Sequence, residues 1–498
     1  MGEGVRSIES LTGGGFGWRI GRNLALLSFS GAFDRGMTFV AFVVVARALG
    51  PEGFGVLAFA QSVSFYVVSV ADLGVPTYLV REIGRDRARV REWVERGVAI
   101  RGRLALFAYL GVLPLIALLG ATAEARVAIA LFSLTVFPTA LLLDWVFKGM
   151  QRMAWVAVAE IVRGSLLVTG VVLFVRSADH LLRVPVVAYA ASAAAAAVLV
   201  TVCVRLYGVP RRAARVEYGL AVREGLPIGL SGFLINLYFP FGVLLMGLWR
   251  STAETGEYAA AIRIAALLAG FGPVIGTVLL PVVVELLEGD ARQLDAFLTG
   301  VFGLTAVALA PVSVLAALYA PQILRLVFGN GFDGAIVPVR ILSGFVFTTY
   351  LNLVWGTGLL ASGRQRQYLH GVLLGAVVSV VAGLALMPWL GGTGAAASTV
   401  TAGAVVLLAF LRSARAVAHV PPLRAIAWPV AASALMGAAL YGLCVPFPLG
   451  VGLGPLTYLL VLAAGYAVTP GLRPALHRHF GWVRTPRGGP AARPASWR

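Results

Sequence analysis

The sequence predicts an all-α polytopic membrane protein with about fourteen transmembrane helices, and three observations carry this prediction. Of the 498 residues, 59% are hydrophobic and only 12% are charged, whereas a soluble domain carries about 25% charged residues. Apolar stretches of about 20 residues, the length that crosses a bilayer, recur along the whole chain. The basic residues between these stretches alternate between dense and sparse segments, as expected for the two sides of a membrane.

The apolar stretches set the positions of the predicted helices. We place the spans at residues 23–46, 56–83, 104–121, 125–147, 155–175, 184–204, 226–249, 258–287, 296–320, 337–361, 369–390, 393–412, 425–445 and 453–470. The first 22 residues are rich in glycine and lack the apolar core and small-residue cleavage site of a secretory signal. We therefore expect no removable signal peptide.

Basic residues divide unequally between the two sets of loops. When residues at span ends are counted with the adjoining loop, the set that includes both termini holds 30 Lys and Arg, and the opposite set holds 6. Cytoplasmic loops are enriched in Lys and Arg, so both termini are predicted to be cytoplasmic. This topology accounts for the net charge of +18 without a nucleic-acid partner. Because Lys148 is the single lysine, the Arg-rich composition indicates a GC-rich bacterial genome. We expect the chain to span a bacterial cytoplasmic (inner) membrane.

Two short motifs recur after six spans and indicate an internal duplication. The segment Gly55–Ala60, which opens span two, resembles Gly256–Ala261, which opens span eight. Likewise Gly149–Arg152 after span four resembles Gly363–Arg366 after span ten. Because six is even, the halves keep the same orientation, a recurrent plan in transporters whose site lies between two lobes.

The duplication predicts two six-helix lobes in parallel pseudo-repeat around a central cavity, followed by two C-terminal helices. The predicted units are a cytoplasmic N-terminal segment at 1–22, an N-lobe at 23–222, a C-lobe at 223–414, the last two helices at 415–470, and a basic cytoplasmic tail at 471–498.

Charged residues at membrane depth are costly and by default mark a functional site. Asp34 and Arg35 in span one lie roughly 18 Å beyond its start, at 1.5 Å per residue. Adjacent helix positions do not face each other, so each needs its own partner, water or a ligand. Asp72 in span two precedes Leu73-Gly74 and a proline, where we expect an irregular helix against a cavity. It is a counter-ion for Arg35, a cap for the broken helix, or an ion-coupling carboxylate.

Three more buried charges lie in spans five and eight. Glu160 and Arg163 are three residues apart, so they either form an ion pair on one helix face or face the cavity separately. Arg263 has no carboxylate within helical reach inside its span. It therefore either extends its side chain to the membrane surface or awaits an anionic ligand.

Arginines at this depth suit a phosphate-bearing substrate. Guanidinium keeps its charge at any relevant pH and offers a planar fork that matches phosphate oxygens, whereas a cationic cavity disfavours lipophilic cations. The chain has no Walker A motif, and its two distant cysteines give neither a disulfide framework nor a metal site. We expect no cofactor and no enzymatic activity, because no extracytoplasmic loop exceeds about 16 residues.

Several segments carry a resemblance to a known family. They are Arg47–Gly55, similar to that family's turn between spans one and two, Leu326–Phe332 after span nine, Gly256–Arg263, and Asp72–Gly74 followed by Val80–Glu82. On these segments the sequence resembles the polysaccharide (oligosaccharidyl-lipid) flippase family of the multidrug/oligosaccharidyl-lipid/polysaccharide exporter superfamily. The resemblance covers spans one to ten by motif and the last four spans by hydropathy.

The resemblance implies alternating access that moves undecaprenyl-pyrophosphate-linked oligosaccharide, a polysaccharide precursor, from the cytoplasmic to the outer leaflet. Cationic cavity residues are typical of the family, and many relatives carry a charged pair in span seven where this chain has Asn236. The predicted substrate-binding cavity residues are Arg35, Arg263, Arg163 and Asn236, and the predicted coupling or cavity carboxylates are Asp34, Asp72 and Glu160.

Two other functions stay open on the sequence alone. One is a cation-coupled multidrug exporter of the same superfamily, with Asp34 or Asp72 as the proton or sodium site. The other is a flippase for the lipid precursor of peptidoglycan. The expected partners are the lipid-linked oligosaccharide pyrophosphate, membrane lipids, and a polysaccharide polymerase with glycosyltransferases.

Overall fold

The computed structural model describes residues 15–119, 122–208, 225–226, 229, 238–287, 291–414 and 424–468. Within these ranges the chain is helical apart from short turns and contains no β-strand. The predicted all-α class is therefore confirmed.

Eight α-helices form the described part of the N-terminal half. They are α1 (Gly15–Asp72), α2 (Val75–Arg85), α3 (Val90–Leu118), α4 (Ala123–Ser133), α5 (Val136–Ala140), α6 (Asp144–Gly149), α7 (Met153–Phe174) and α8 (Arg183–Tyr207). Large apolar side chains cover their outer surface, and Phe107, for example, is 71% exposed. Such a surface is stable against lipid, because apolar chains face an apolar solvent there.

Nine α-helices form the described part of the C-terminal half. They are α9 (Tyr238–Trp249), α10 (Thr252–Ala269), α11 (Gly272–Leu287), α12 (Ala291–Leu318), α13 (Ala320–Phe328), α14 (Ile336–Ala361), α15 (Gln365–Ala414), α16 (Arg424–Gly442) and α17 (Phe447–Val468).

Helix length and hydropathy agree with the predicted number of spans. Within the described ranges, nine helical segments are long and apolar enough to cross a membrane, and three further apolar helices are shorter. Two of the nine, 26–85 and 365–414, have 60 and 50 residues, whereas one crossing needs about 20. If each of these two crosses twice, the described helices match the fourteen predicted spans. The chain has a polytopic membrane fold.

Glycine turns divide both of these long segments. Gly50 has a φ of 67° and Gly391 a φ of 54°, in the left-handed region that residues with a Cβ rarely adopt. Pro51 follows Gly50 at the start of the next helix, where its missing N–H leaves no hydrogen bond unmade. The turns therefore lie between spans one and two and between spans eleven and twelve, as predicted.

Span two is interrupted at the predicted irregularity. Helix α1 ends at Asp72, Leu73 and Gly74 have φ values of 39° and 75°, and α2 begins at Val75. Gly74 lies against the start of span seven, because a Cβ added to it would lie 2.2 Å from the carbonyl oxygen of Gly225 and 2.4 Å from the amide nitrogen of Gly229. The two halves thus touch backbone to backbone on the predicted cytoplasmic side.

The helices pack as two groups that meet along α1. In the N-terminal half α1 packs on α3, α4 and α7, and in the C-terminal half α14 packs on α11, α12 and α15. Helices α16 and α17 pack on α12 and on each other. Helix α1 also packs on α9, α10 and α13 and so carries contacts between the halves. The exact lobe boundaries stay a prediction.

A second backbone contact joins the halves on the opposite, predicted outer side. A Cβ added to Gly55 would lie 1.8 Å from the carbonyl oxygen of Thr252, and one added to Gly256 would lie 1.9 Å from that of Pro51. Each glycine therefore rests on the carbonyl four residues before the other. This reciprocal contact joins the two copies of the repeated motif, and small residues permit such close approach of membrane helices.

We expect Gly55→Ala to force α1 and α10 apart and to destabilise the protein by about 1–3 kcal/mol, the usual cost of overpacking. Gly36→Ala is the matched control in the same helix, because a Cβ there meets nothing within 4 Å. The measurement is the thermal unfolding midpoint in detergent. Equal midpoints for the two variants would contradict the close packing at Gly55.

Candidate functional site

The first buried charge pair joins spans one and five. The Arg163 guanidinium donates to the Asp34 carboxylate in a hydrogen-bonded ion pair. A Cβ added to Gly164 would lie 3.3 Å from an Asp34 oxygen, so this glycine lets α1 approach α7 closely enough for the pair to form. The alternative that pairs Arg163 with Glu160 is wrong, because the neighbouring helix supplies a nearer carboxylate. One Glu160 oxygen is buried without a hydrogen-bond partner.

The second pair stabilises the break in span two. Arg101 on α3 is 3% exposed and donates to Asp72 at 2.8 Å. It also donates to the carbonyl oxygens of Thr139 and Leu142 at 2.9 Å each, where α5 ends. The alternative that makes Asp72 a counter-ion for Arg35 is therefore wrong, since Arg101 lies on the adjacent helix and takes that place.

Arg35 belongs to neither pair. Its guanidinium donates to the Gly270 carbonyl oxygen at 2.9 Å, where α10 ends. Within the described part of the chain, no carboxylate forms an ion pair with it. The side chain is exposed and borders a cavity of ≈500 Å³ that α10, α11, α14 and α15 line. Arg35 thus extends from the N-terminal half to a cavity of the C-terminal half.

Arg263 makes the reverse connection. From α10 it donates to the side-chain oxygen of Gln61 on α1, and its guanidinium carbon lies 3.8 Å from the ring centroid of Phe42. Its Nε is buried without a hydrogen-bond partner. No described carboxylate forms an ion pair with it. A neutral amide and an aromatic face therefore hold the side chain.

Three adjoining cavities connect these residues. The N-side cavity of ≈280 Å³ is bordered by Arg163, the middle cavity of ≈200 Å³ by Arg263, and the C-side cavity of ≈500 Å³ by Arg35. Gln61 borders both the N-side and the middle cavity, and Ala266 borders both the middle and the C-side cavity. The cavities therefore form a row that crosses from one half to the other.

Sequence reasoning missed two residues of this region. Gln61 was overlooked because it is uncharged, although a glutamine in an apolar span is itself an unusual polar group. Arg101 was counted as a loop charge, yet Val94, Gly97 and Ala105 on the same helix are buried and share its face by i, i+3 and i+4 spacing. The predicted contact Asn236 lies outside the described residues.

A comparison with known families identifies the family of this chain. The family model described as "Polysaccharide biosynthesis protein" matches residues 20–287, more than half of the chain. The chain belongs to the polysaccharide biosynthesis protein family. The matched region contains both ion pairs, Arg35, and Gln61 with Arg263. A comparison with the sequences of curated proteins finds no match.

Solved structures share the fold of this polysaccharide biosynthesis protein. The lipid II flippase MurJ in an inward closed conformation superposes with a TM-score of 0.74 at 12% identity, over 89% of this chain and 99% of MurJ. An inward-facing multidrug resistance MATE family transporter of the MOP superfamily gives 0.59 at 16% identity, over 76% and 94%. A Vibrio cholerae MATE transporter gives 0.51 at 13% identity, over 79% and 97%.

Family and fold together define the class of this polysaccharide biosynthesis protein. It is a multi-pass membrane protein of this family, and its fold is the one that the flippase MurJ and the MATE family transporters share. The predicted family and the predicted polytopic membrane fold are confirmed.

We expect Arg101→Met to destabilise the protein by on the order of 3 kcal/mol, because it leaves Asp72 and two helix-end carbonyls without their donor. Arg366→Met is the control, an exposed arginine on α15. Thermal unfolding and the folded yield from membranes measure the difference. If Arg101→Met were as stable as Arg366→Met, the pair would have no structural role.

Proposed function

We propose that this protein is a flippase that moves undecaprenyl-pyrophosphate-linked oligosaccharide across the bacterial cytoplasmic membrane by alternating access. One observation carries the proposal. Of the four arginines described above, Arg163 and Arg101 are neutralised by carboxylates, whereas Arg35 and Arg263 border adjoining cavities and form no ion pair among the described residues.

Guanidinium groups without an ion-pair partner among the described residues fit the diphosphate of such a lipid. Arg35 donates one hydrogen bond to a backbone carbonyl, and Arg263 donates to a side-chain amide oxygen. Both therefore keep their positive charge and further N–H donors for a ligand. Contacts from guanidinium to phosphate are charge-assisted and roughly twice as strong as those between neutral groups. A diphosphate between the two side chains would therefore displace their present neutral acceptors.

The same exchange would couple binding to movement. Arg35 joins α1 to the end of α10, and Arg263 joins α10 back to α1, so each arginine is a tie between the halves. When a diphosphate takes both guanidinium groups, the two direct ties are replaced by contacts through the ligand, and the halves can change their relative position. A ligand shifts such an equilibrium only through its different affinity for the two states, and these ties supply that difference.

The remaining predicted site residues have different support. Because Arg163 is already paired with Asp34, we assign it to the wall of the N-side cavity rather than to the diphosphate. Asp34 and Asp72 each have an arginine partner, which favours a structural role over ion coupling. Glu160 forms no ion pair among the described residues and has one buried oxygen without a hydrogen-bond partner, so it is the proposed coupling carboxylate. Asn236 stays a proposed cavity residue.

We further propose that both termini are cytoplasmic and that the lipid tail stays among membrane lipids during transfer. Glycosyltransferases would supply the substrate on the cytoplasmic side, and a polysaccharide polymerase would consume it on the other. A multidrug exporter is the second candidate, and a flippase for the peptidoglycan lipid precursor is the third, because the shape of MurJ matches over nearly its whole length.

We expect Arg35→Glu to abolish surface polymer, because it replaces a phosphate-binding cation by an anion. Arg35→Gln should lower transport about 10- to 100-fold, the equivalent of one charge-assisted hydrogen bond of about 1.5–3 kcal/mol. Arg366→Glu, an exposed position on the predicted cytoplasmic side, is the matched charge-reversal control. Polymer is measured on cells at equal membrane abundance, and normal polymer from Arg35→Glu would exclude the proposed role.

The alternatives predict different phenotypes for a deletion strain. A polysaccharide flippase leads to loss of surface polymer with unchanged drug susceptibility and viability. Drug sensitivity with normal polymer would indicate the exporter instead. Lysis that a peptidoglycan precursor flippase rescues would indicate the third candidate.

A further inference from the structure

Two of the segments that carry the family resemblance, Arg47–Gly55 and Leu326–Phe332, meet each other on the predicted outer side. Arg47, in Arg47–Gly55, donates through Nε to the Val327 carbonyl oxygen at 2.8 Å and through a second nitrogen to that of Leu326. Both carbonyls belong to the last turn of α13, which ends at Gly329 with a φ of 86°. One guanidinium of the N-terminal half therefore caps a helix of the C-terminal half.

This contact suits the chemistry of a helix end. The last carbonyls of a helix have no partner inside the helix and carry a partial negative charge. The planar guanidinium offers two parallel donors to them, which fixes its direction as well as its distance. Arg47 forms no ion pair among the described residues, so the α13 carbonyls are the acceptors that hold it.

An aromatic cluster lies beside this contact. Phe54 lies 6.2 Å from Phe328 and 6.2 Å from Phe332 between ring centroids, and the latter two lie 5.5 Å apart. All three rings are at most 2% exposed. Phe54 comes directly before Gly55, which forms the backbone contact with α10. The predicted outer side is therefore closed by three adjacent contacts, all between the halves.

These three contacts differ in what happens to them when the two halves separate on the predicted outer side. Separating the rings or the glycines exposes apolar or backbone surface, but neither contact has a strong directional preference. The Arg47 side chain is exposed, so water can replace the two carbonyls when the halves part. The Arg47 contact is directional, lies at the edge of the interface and can be exchanged for water. It can therefore break and form again as the two halves separate and close.

We propose that Arg47 is the latch of the outer side: its contact with the Leu326 and Val327 carbonyls holds the outer entrance closed while the cavities face the cytoplasm. Outward opening begins when α13 releases the guanidinium. The proposal concerns the transport movement and holds for any substrate, so it does not depend on the diphosphate assignment.

Thiol labelling in the full-length protein tests the latch. Cys203 and Cys444 are replaced by alanine, and Ser62→Cys provides a reporter, because Ser62 borders the middle cavity and is 5% exposed. A membrane-impermeant maleimide is added to intact cells, which labels from the outer side, and separately to inverted vesicles, which labels from the cytoplasmic side.

We expect Arg47→Ala to raise outer-side labelling of the reporter about tenfold, which corresponds to the loss of one helix-end contact to a cation. Labelling from the cytoplasmic side should fall, because the two open states compete. Arg47→Lys keeps the positive charge but loses the two parallel donors of the guanidinium, so its outer-side labelling should lie between that of the parent protein and that of Arg47→Ala. Arg176→Ala is the matched control, an exposed arginine on the same predicted side.

Unchanged outer-side labelling in Arg47→Ala would overturn the proposal. An equal rise from both sides would also overturn it, since that result indicates a loosened protein rather than an opened entrance. If Arg47→Ala does not accumulate in membranes, Arg47→Lys decides, because labelling equal to that of the parent rules the latch out. The two proposals are tested by different measurements. Surface polymer from Arg35→Glu tests the diphosphate assignment, whereas labelling of Ser62→Cys in Arg47→Ala tests the latch.

Discussion

The organisation of this protein depends on the cost of placing charge inside a bilayer. An ionised side chain at membrane depth costs several kcal/mol unless it is paired or hydrated. The chain meets this constraint in two ways. Arg163 and Arg101 have carboxylate partners on neighbouring helices and act as internal supports. Arg35 and Arg263 have none among the described residues, and both border cavities. This contrast is the basis of the proposed distinction between structural arginines and substrate-binding arginines.

A second regularity is that arginine side chains donate hydrogen bonds to the carbonyl groups at the ends of interrupted helices. Arg35 meets the end of α10, Arg101 the end of α5, and Arg47 the end of α13. Each interruption leaves carbonyl groups without intrahelical donors, and within a membrane such groups need other partners. The long guanidinium side chain reaches them from another helix. The breaks therefore create connections between helices that continuous helices would not need.

Local features of the sequence were sufficient to predict the fold. Hydropathy located the spans, and glycine with proline marked the turn at Gly50 and the break at Gly74. Partners of the buried charges were harder to predict, because they depend on packing between distant segments. Asp34 and Arg163 are 129 residues apart, and only the approach of α1 to α7 brings them together. Arg263 and Gln61 are 202 residues apart and meet only through contact between the halves.

The glycine contacts at the two ends have a consequence for the speed of movement. Where Gly55 faces Gly256 and Gly74 faces Gly225 and Gly229, the surfaces in contact are bare main chain. Interdigitated side chains must change rotamers in concert before they separate, whereas smooth main-chain surfaces can part or slide without such rearrangement. In the proposed transport cycle the glycine contacts should therefore add little to the kinetic barrier to reorientation, which then depends on the polar and aromatic contacts between the halves.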